Sequence, residues 1–307
     1  MTVAAAVVNY NAAPHLAACV ASLIGDGVDT VIVVDNGSTD DSLARLAAAD
    51  LVPAPTVIQA GTNLGYGGGA NRAVRELTQA VGAGAQEDSA ARGAPVLVCN
   101  SDLVVHPGTL KALVAALDAD PTLGIVGPRV SNQDGTLYPS ARTFPRLGDA
   151  IGHAVLGVVA PNNRYSRRYK LLDWDHETGR TVDWVSGACF LIRRATWDEL
   201  GGFDESFFMY MEDVDLCWRA GRRGWRVAYE PAGEVTHVQG ASTDQRPYRM
   251  IRAHHRSMLR FAARTTTGPS RALLPVMAAG LGLRTVLASL HKWRSAHGRS
   301  RSRAAVQ

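Results

Sequence analysis

Residues 207–219 read FFMYMEDVDLCWR, so Glu212, Asp213 and Asp215 follow directly behind Phe207, Phe208, Met209, Tyr210 and Met211. Acids are costly to bury without partners. Such a cluster has two physical readings. The acids open a helix, where negative charge offsets the macrodipole, or one of them takes a proton from a reacting hydroxyl. Other polar groups stand where apolar runs end. VVDNGSTDDS places Asp35, Asn36, Gly37 and Ser38 behind one run, and LVCNSDLVV places Asn100, Ser101 and Asp102 behind another. A carboxylate at the first position can accept hydrogen bonds from imide or hydroxyl groups, while turn and helix-cap use competes with that reading. At the second, Asp102 can hold a hard cation that bridges a diphosphate, or cap the helix that follows. NLGYGGGANRA (63–73) adds glycines that let backbone approach a ligand closely, ahead of a helix whose positive end suits phosphate.

The intervening segments supply a scaffold. VAAAVVNY (3–10), TVIVVDN (30–36), PTVIQA (55–60) and PVLVCN (95–100) read as strands. Helical patterns separate them at PHLAACVASL (14–23), DDSLARLAAA and GGGANRAVRELTQAV, and PGTLKALVAALDAD (107–120) follows. This alternation predicts a parallel sheet with helices on both faces and ligands at the carboxyl ends of its strands. GIVGPRV, TVDWVSGACFLIRR and WRVAYEP read as further strands. VGAGAQEDSAARGA (81–94) reads as a flexible surface loop, and 139–180 as a substrate-facing excursion without periodicity. GYGGGA also fits the letters of the dinucleotide fingerprint. It follows the third strand, and the acids some twenty residues on, Glu87 and Asp88, fall in the polar loop, which argues against hydride transfer.

The order of VVNYN, VDNGSTD, NLGYGGGAN, NSD, the long block VDWVSGACFLIRRATWDELGGFDESFFMYMEDVDLCWRAGRRGW and HVQGAS resembles the family 2 glycosyltransferases, closest to their bacterial rhamnosyltransferase branch. The resemblance covers roughly residues 3–245. It implies the GT-A fold, a Rossmann-like mixed sheet flanked by helices, and transfer of a sugar from a nucleotide diphosphate to an acceptor hydroxyl, usually with inversion. It places Asp35 at the base of the nucleotide, with Asn9, Asn36, Gly37 and Ser38 lining the same pocket. Asn63, Gly65 and Arg72 would border the diphosphate. Asn100, Ser101 and Asp102 correspond to the family's metal-binding Asp-x-Asp, with Asn100 in place of the first Asp, so the site for Mg²⁺ or Mn²⁺ has one carboxylate fewer. His237 stands where a histidine often completes it. Trp184, Ser186, Gly187 and Glu212 would face the acceptor, and Asp213 would be the base that deprotonates it. The branch implies dTDP-L-rhamnose as donor and a polyprenyl-diphosphate-linked N-acetylglucosamine as acceptor. UDP-galactofuranose, UDP-glucose or UDP-N-acetylglucosamine, or a nucleotidyltransferase or nucleotide-binding module, are the alternatives.

Charge is divided along the chain. The 307 residues carry a net +4, yet the last acid is Asp244, and 13 Lys/Arg follow it. Residues 1–244 are therefore acidic, with 19 Lys/Arg against 28 Asp/Glu. Arg246, Arg249, Arg252, Arg256, Arg260 and Arg264 recur at helical spacing and form one face. ALLPVMAAGLGL (272–283) is too short to span a bilayer and fits an interfacial helix, and HKWRSAHGRSRSR (291–303) adds further positive charge. We therefore expect a catalytic domain over 1–244, with a nucleotide-sugar half (1–105) and an acceptor half (106–244). A basic helical tail over 245–307 would seat on an anionic membrane surface, at the cytoplasmic face of the plasma membrane. The first residues lack the basic start of a signal peptide. Cys19, Cys99, Cys189 and Cys217 form no CxxC pair and fit buried thiols in a reducing compartment. A nucleic-acid partner is not expected, because the body is acidic and the tail has only Tyr248, Phe261 and Trp293 as aromatics.

Overall fold

Uncharged runs of Ala and Val become the centre of the molecule. In the computed structural model, which describes residues 3–84, 93–144, 164–238 and 247–286, β1 (Ala4–Asn9) buries five of its six residues. Helix α1 (His15–Gly25) then turns Leu16, Cys19, Val20 and Leu23, one helical stripe, into the core. β2 (Thr30–Asp35), α2 (Ser42–Ala48), β3 (Thr56–Gln59), α3 (Gly65–Gly84) and β4 (Val96–Asn100) follow. The parallel order β3-β2-β1-β4 results, as the alternation predicts. Both faces of β1, β2 and β4 are covered, which is why these strands read as continuous apolar runs.

Beyond β4 the sheet departs from that expectation. The chain reverses into β5 (Leu103–Val105), then forms α4 (Thr109–Ala119), β6 (Leu123–Asn132), β7 (Leu137–Tyr138) and β8 (Ala141–Arg142). After α5 (Arg164–Tyr169) come β9 (Arg180–Val182), β10 (Trp184–Val185) and β11 (Cys189–Ile192), then α6 (Arg194–Leu200), α7 (Glu212–Arg222) and β12 (Arg226–His237). β11 lies antiparallel between β4 and β6, β5 is antiparallel to β12, and β12 runs parallel to β6. The sheet is mixed, as the family resemblance implies. Alternation alone misses this because β4 to β5 is a direct reversal without a crossover helix. The single apolar run expected at 181–194 is three strands, broken at Asp183 and again at Ser186–Gly187–Ala188.

The expected loop at 81–94 is shorter than its composition suggests, since α3 runs to Gly84. Residues 85–92 lie outside the described residues. So do 145–163 of the expected excursion, 239–246 with Arg246, and the basic stretch 291–303. By its contacts the chain forms two units: Met1–Phe208 with Glu212–Ser242, and Met209–Met211 with Thr243–Gln307. The run FFMYM is therefore divided. Phe207 is buried in the first unit, and the Phe208 carbonyl there accepts the Tyr66 amide at 3.2 Å. In the second unit the Ser257 hydroxyl donates to the Met209 carbonyl at 3.0 Å, and Tyr210 packs edge-on to His254. That unit holds α8 (Pro247–Thr265), a short 3₁₀ turn (Gly268–Leu273) and a helix over 274–286.

Asn9, Asp35, Asn100, Asn132 and His237 end strands β1, β2, β4, β6 and β12, so they share one edge of the sheet. The antiparallel β11 brings its opposite end, the Gly187–Ala188 start, to the same edge, where the Asn100 amide donates to the Ala188 carbonyl at 2.9 Å. Gly65 locks α3 against the stretch that leads toward α7. Its φ is +78°, and an added Cβ would overlap the Phe208 carbonyl. Gly65→Ala is expected to lower stability by more than the roughly 1–2 kcal/mol of a left-handed backbone alone. Gly61→Ala, at φ +72° with open space around its Cβ, should show only that backbone cost. Denaturant unfolding of both variants measures the difference, and equal losses would refute the packing role.

Candidate active site

The turn after β2 is built by its own polar groups. Asp35 Oδ1 accepts from Asn9 Nδ2 at 2.8 Å and from the Ser38 hydroxyl at 2.5 Å, while Oδ2 accepts the Ser38 amide at 3.0 Å. Gly37 sits at φ +75° within it. Asn36 Nδ2 donates to the Gly65 carbonyl at 2.9 Å, tying this turn to the start of α3. Asn9, Asp35, Asn36, Gly37, Ser38 and Gly65 thus come together at this edge of the sheet. The glycine run itself has another use than a phosphate cradle. The first two amides of α3 are already taken, by Asn63 Oδ1 and the Phe208 carbonyl. A Cβ on Gly67 would press on Phe203, and one on Gly69 on Val8 and Asn36, so these glycines permit close helix packing. Arg72 lies about 10 Å further along α3. It is exposed and paired with Glu76 at 3.0 Å, so the structure does not bring it to this edge.

Asn100 and Asp102 meet His237 across the sheet edge. His237 Nε2 lies 3.0 Å from Asp102 Oδ1 and 3.2 Å from Asn100 Nδ2. Asp102 and Ser101 are buried, and His237 Nδ1 is buried without a partner. One imidazole nitrogen cannot satisfy a carboxylate and an amide NH₂ at once. Turning the Asn100 amide over presents its oxygen instead, an assignment left open by geometry. Three donors then converge: an imidazole nitrogen, a carboxylate oxygen and an amide oxygen. This set fits a divalent cation, with fewer charges than two carboxylates supply. Among the described residues no three His, Cys, Asp or Glu side chains cluster in this way.

The acid cluster divides into three roles. Asp215, fully buried, pairs with Arg219 at 2.7 Å, and Arg219 clamps the Leu200 and Gly202 carbonyls at 2.8 Å each. It is a structural ion pair, more than the macrodipole contact that its place in the first turn suggests. Glu212 is buried with Oε2 unpartnered, and burial, then the neighbouring Asp213, pushes its carboxyl well above the ordinary range. Asp213 is half-buried. Its Oδ2 accepts the Gly187 amide at 2.8 Å, and its Oδ1 accepts the Val214 amide at 2.8 Å. Burial raises its carboxyl too, opposed by those amides and by the Arg142 guanidinium. Of the two neighbours, Asp213 is the better exposed and the better able to carry a negative charge.

Gly187 is the joint between these parts. Its amide holds Asp213, its carbonyl accepts the Tyr66 hydroxyl, and the next residue is bonded to Asn100. A Cβ there would meet Asp213 and Tyr66 carbon atoms, both at 3.3 Å. Ser186 is half-buried beside it, its amide donating to the Ser140 carbonyl at 2.8 Å. Trp184, expected to face an acceptor, is buried instead. Its indole N–H donates to the Thr143 carbonyl at 2.9 Å and its ring lies 5.1 Å from the Arg142 guanidinium carbon. Tyr66 and Arg142 were not expected from sequence. Tyr66 hides in the glycine run, and Arg142 in a segment whose only signal is the clustering of Tyr138, Arg142 and Tyr169. Of the six buried side-chain polar atoms without a partner among the described residues, four belong to Asn9, Asn36, Glu212 and His237. Unsatisfied buried groups are rare in folded proteins, and four of the six belong to this candidate site.

The sequence model described as glycosyltransferase like family 2 matches residues 2–257. The N-acetylglucosaminyl-diphospho-decaprenol L-rhamnosyltransferase of Mycobacterium tuberculosis (strain ATCC 25618 / H37Rv) is 39% identical over 274 residues, which are 87% of this chain and 86% of that protein. Among solved structures, S. aureus TarS 1-349 in complex with UDP aligns with a TM-score of 0.52 at 17% identity, over 92% of this chain and 70% of that one. GalNAc-T7 with UDP, GalNAc and Mn²⁺ aligns at 0.50 and 16% identity, over 77% of this chain and 44% of that one. At these identities the structural likeness is one of fold, and the fold is GT-A.

The buried acid pair has a consequence for stability. Glu212 keeps its proton in the fold at pH values where an unfolded glutamate has lost it. Folding therefore takes up a proton between the ordinary carboxylate range and the raised value, and stability falls as pH rises through that window. The limit for one proton is about 1.4 kcal/mol per pH unit. Glu212→Gln should flatten this slope in denaturant unfolding between pH 5 and 8 at fixed ionic strength. A variant as steep as wild type would contradict the assignment.

Proposed function

The chain belongs to glycosyltransferase family 2 and is a glycosyltransferase, and from that premise we propose that it moves L-rhamnose from dTDP-L-rhamnose to a polyprenyl-diphosphate-linked N-acetylglucosamine. The carrying observation is the 39% identity, over most of both chains, to a protein named for that sugar and an N-acetylglucosaminyl-diphospho-decaprenol acceptor. The nucleotide would lie against the Asp35–Ser38 turn, bordered by Asn9, Asn36 and Asn63. Asp213 is the base. Its oxygens, held by the Gly187 and Val214 amides, keep one direction for the acceptor hydroxyl. The acceptor oxygen bonds to the anomeric carbon, its proton passes to Asp213, and the bond to the nucleotide diphosphate breaks on the opposite face, which inverts the centre. Glu212, its carboxyl raised by burial, lies buried beside the base. Asn100, Asp102 and His237 would hold Mg²⁺ or Mn²⁺, which when bound neutralises charge on the departing diphosphate.

The second unit suits a lipid-borne acceptor. Arg249, Arg252, Arg256 and Arg264 are exposed on α8 and Arg260 is half-buried, while His255, Ser257 and Phe261 are buried. Leu273, Val276, Leu283 and Val286 are exposed large apolar residues of the same unit. No helix among the described residues is long and apolar enough to cross a membrane. Arginine and exposed apolar side chains in one unit favour a seat at an anionic bilayer surface, the cytoplasmic face in the setting we propose.

Two measurements test these readings. Asp213→Asn should melt like wild type yet lose at least about 100-fold in turnover. The assay uses dTDP-L-rhamnose and a synthetic polyprenyl-diphosphate-N-acetylglucosamine, with and without Mg²⁺ or Mn²⁺, and a panel of UDP- and GDP-sugars as competing donors. Wild-type turnover by the variant would remove Asp213 as base, and preference for another donor would remove rhamnose. For the second unit, Arg252→Gln with Arg256→Gln should weaken binding to anionic vesicles by on the order of 30-fold, at about 1 kcal/mol per charge. Neutral vesicles should bind neither form, and equal binding of both forms to anionic vesicles would exclude the arginine face as the contact.

A further inference from the structure

Tyr66 is the second residue of α3, yet its hydroxyl donates to the Gly187 carbonyl, 121 positions further along the chain. Among the described residues the hydroxyl has no other hydrogen-bond partner. The side chain is buried, and burial pushes the hydroxyl well above the ordinary range of a tyrosine, so it stays protonated and donates. Burying a hydroxyl is costly unless it is bonded. A phenylalanine would fill the same space without that cost, so the bond to Gly187 is what the oxygen adds.

The ring does not depend on the hydroxyl for its place. It packs edge-on to Phe203, with ring centres 5.8 Å apart. Five residues on, Asn71 brackets the Phe203 backbone: its Oδ1 accepts the Phe203 amide and its Nδ2 donates to the Phe203 carbonyl, both at 2.9 Å. The Tyr66 amide donates to the Phe208 carbonyl at 3.2 Å. Removing the oxygen alone leaves all of these contacts in place.

The effect of the hydroxyl falls on Gly187. That residue gives its carbonyl to Tyr66 and its amide to Asp213 Oδ2, the latter at 2.8 Å. Behind Tyr66, the Gly65 carbonyl accepts Asn36 Nδ2 at 2.9 Å. Hydrogen bonds thus run from the turn after β2, through Gly65 and Tyr66, to Gly187 and Asp213. We propose that Tyr66 is a positioning residue for Asp213: its hydroxyl fixes Gly187, and with it the amide that aims the base carboxylate. This rests on the reading of Asp213 as the base. A misplacement of about 1 Å can cost on the order of 100-fold in rate, so a single hydroxyl that holds Gly187 can govern turnover.

The experiment reads the Gly187 amide directly. Ser186–Gly187 is the only Ser-Gly pair in the sequence. Carbonyl-¹³C serine with ¹⁵N-glycine, introduced by cell-free synthesis of the full chain, therefore gives one doubly labelled amide signal. Tyr66→Phe should melt cooperatively and speed exchange of that amide by about tenfold, the scale of one hydrogen bond. It should lower kcat by about as much, with KM for dTDP-L-rhamnose unchanged. Placing 4-aminophenylalanine at position 66 restores a donor on the same ring and should return both readings toward wild type. In the Asp213→Asn background, Tyr66→Phe should cost nothing further, because the two changes act on one interaction. An amide unmoved by loss of the hydroxyl would overturn the proposal, whatever turnover does. So would a moved amide with kcat intact while Asp213→Asn is inactive. If the amide moves and both single variants turn over like wild type, the link to Gly187 stands and Asp213 is not the base.

Discussion

The hydrogen bond from the Gly187 amide to Asp213 is the interaction on which the site depends. It exists because β11 runs antiparallel beside β4, so the chain enters β11 at the edge where β4 leaves the sheet. A single peptide step then separates the amide that holds the carboxylate from the carbonyl that holds Asn100. With a parallel strand in that place, Gly187 would lie at the far edge. The Tyr66 hydroxyl on its carbonyl and the Ser186–Ser140 bond next to it keep that one residue where it is.

The electrostatics follow from the same placement. Two adjacent acids are taken into a region poor in water, and neither can be fully charged at little cost. The fold resolves the conflict by giving them unequal surroundings. Asp213 has two amides, while one oxygen of Glu212 has nothing. Asp215, one helical step on, is neutralised by Arg219. Three like side chains in four positions of sequence thus have three different charge environments.

Much of the scaffold was legible because its causes are local. Val and Ala runs flanked by turn residues, and helical stripes such as Leu16–Cys19–Val20–Leu23, carry their periodicity in the chain itself. The strand-end polar residues Asp35, Asn100 and Asp102 were readable for the same reason. The antiparallel strands were not, because direction is decided by connection length and by what a strand packs against. The glycines at 67–69 looked like a phosphate loop, since nothing in their letters separates close helix packing from close approach to a ligand. Arg142 was not legible because two of the three rings around it, Tyr169 and Trp184, lie far from it in sequence.

From sequence alone came the residue types for the chemistry, the acidic body with its basic end, and the family pattern that orders them. The tertiary structure decided which acid is held by backbone amides, which is paired with an arginine, and which glycine is a joint. The reason is physical. Hydrogen-bonding capacity and charge belong to each side chain, whereas burial, and the partners that decide whether a charge survives it, exist only once distant segments have packed together.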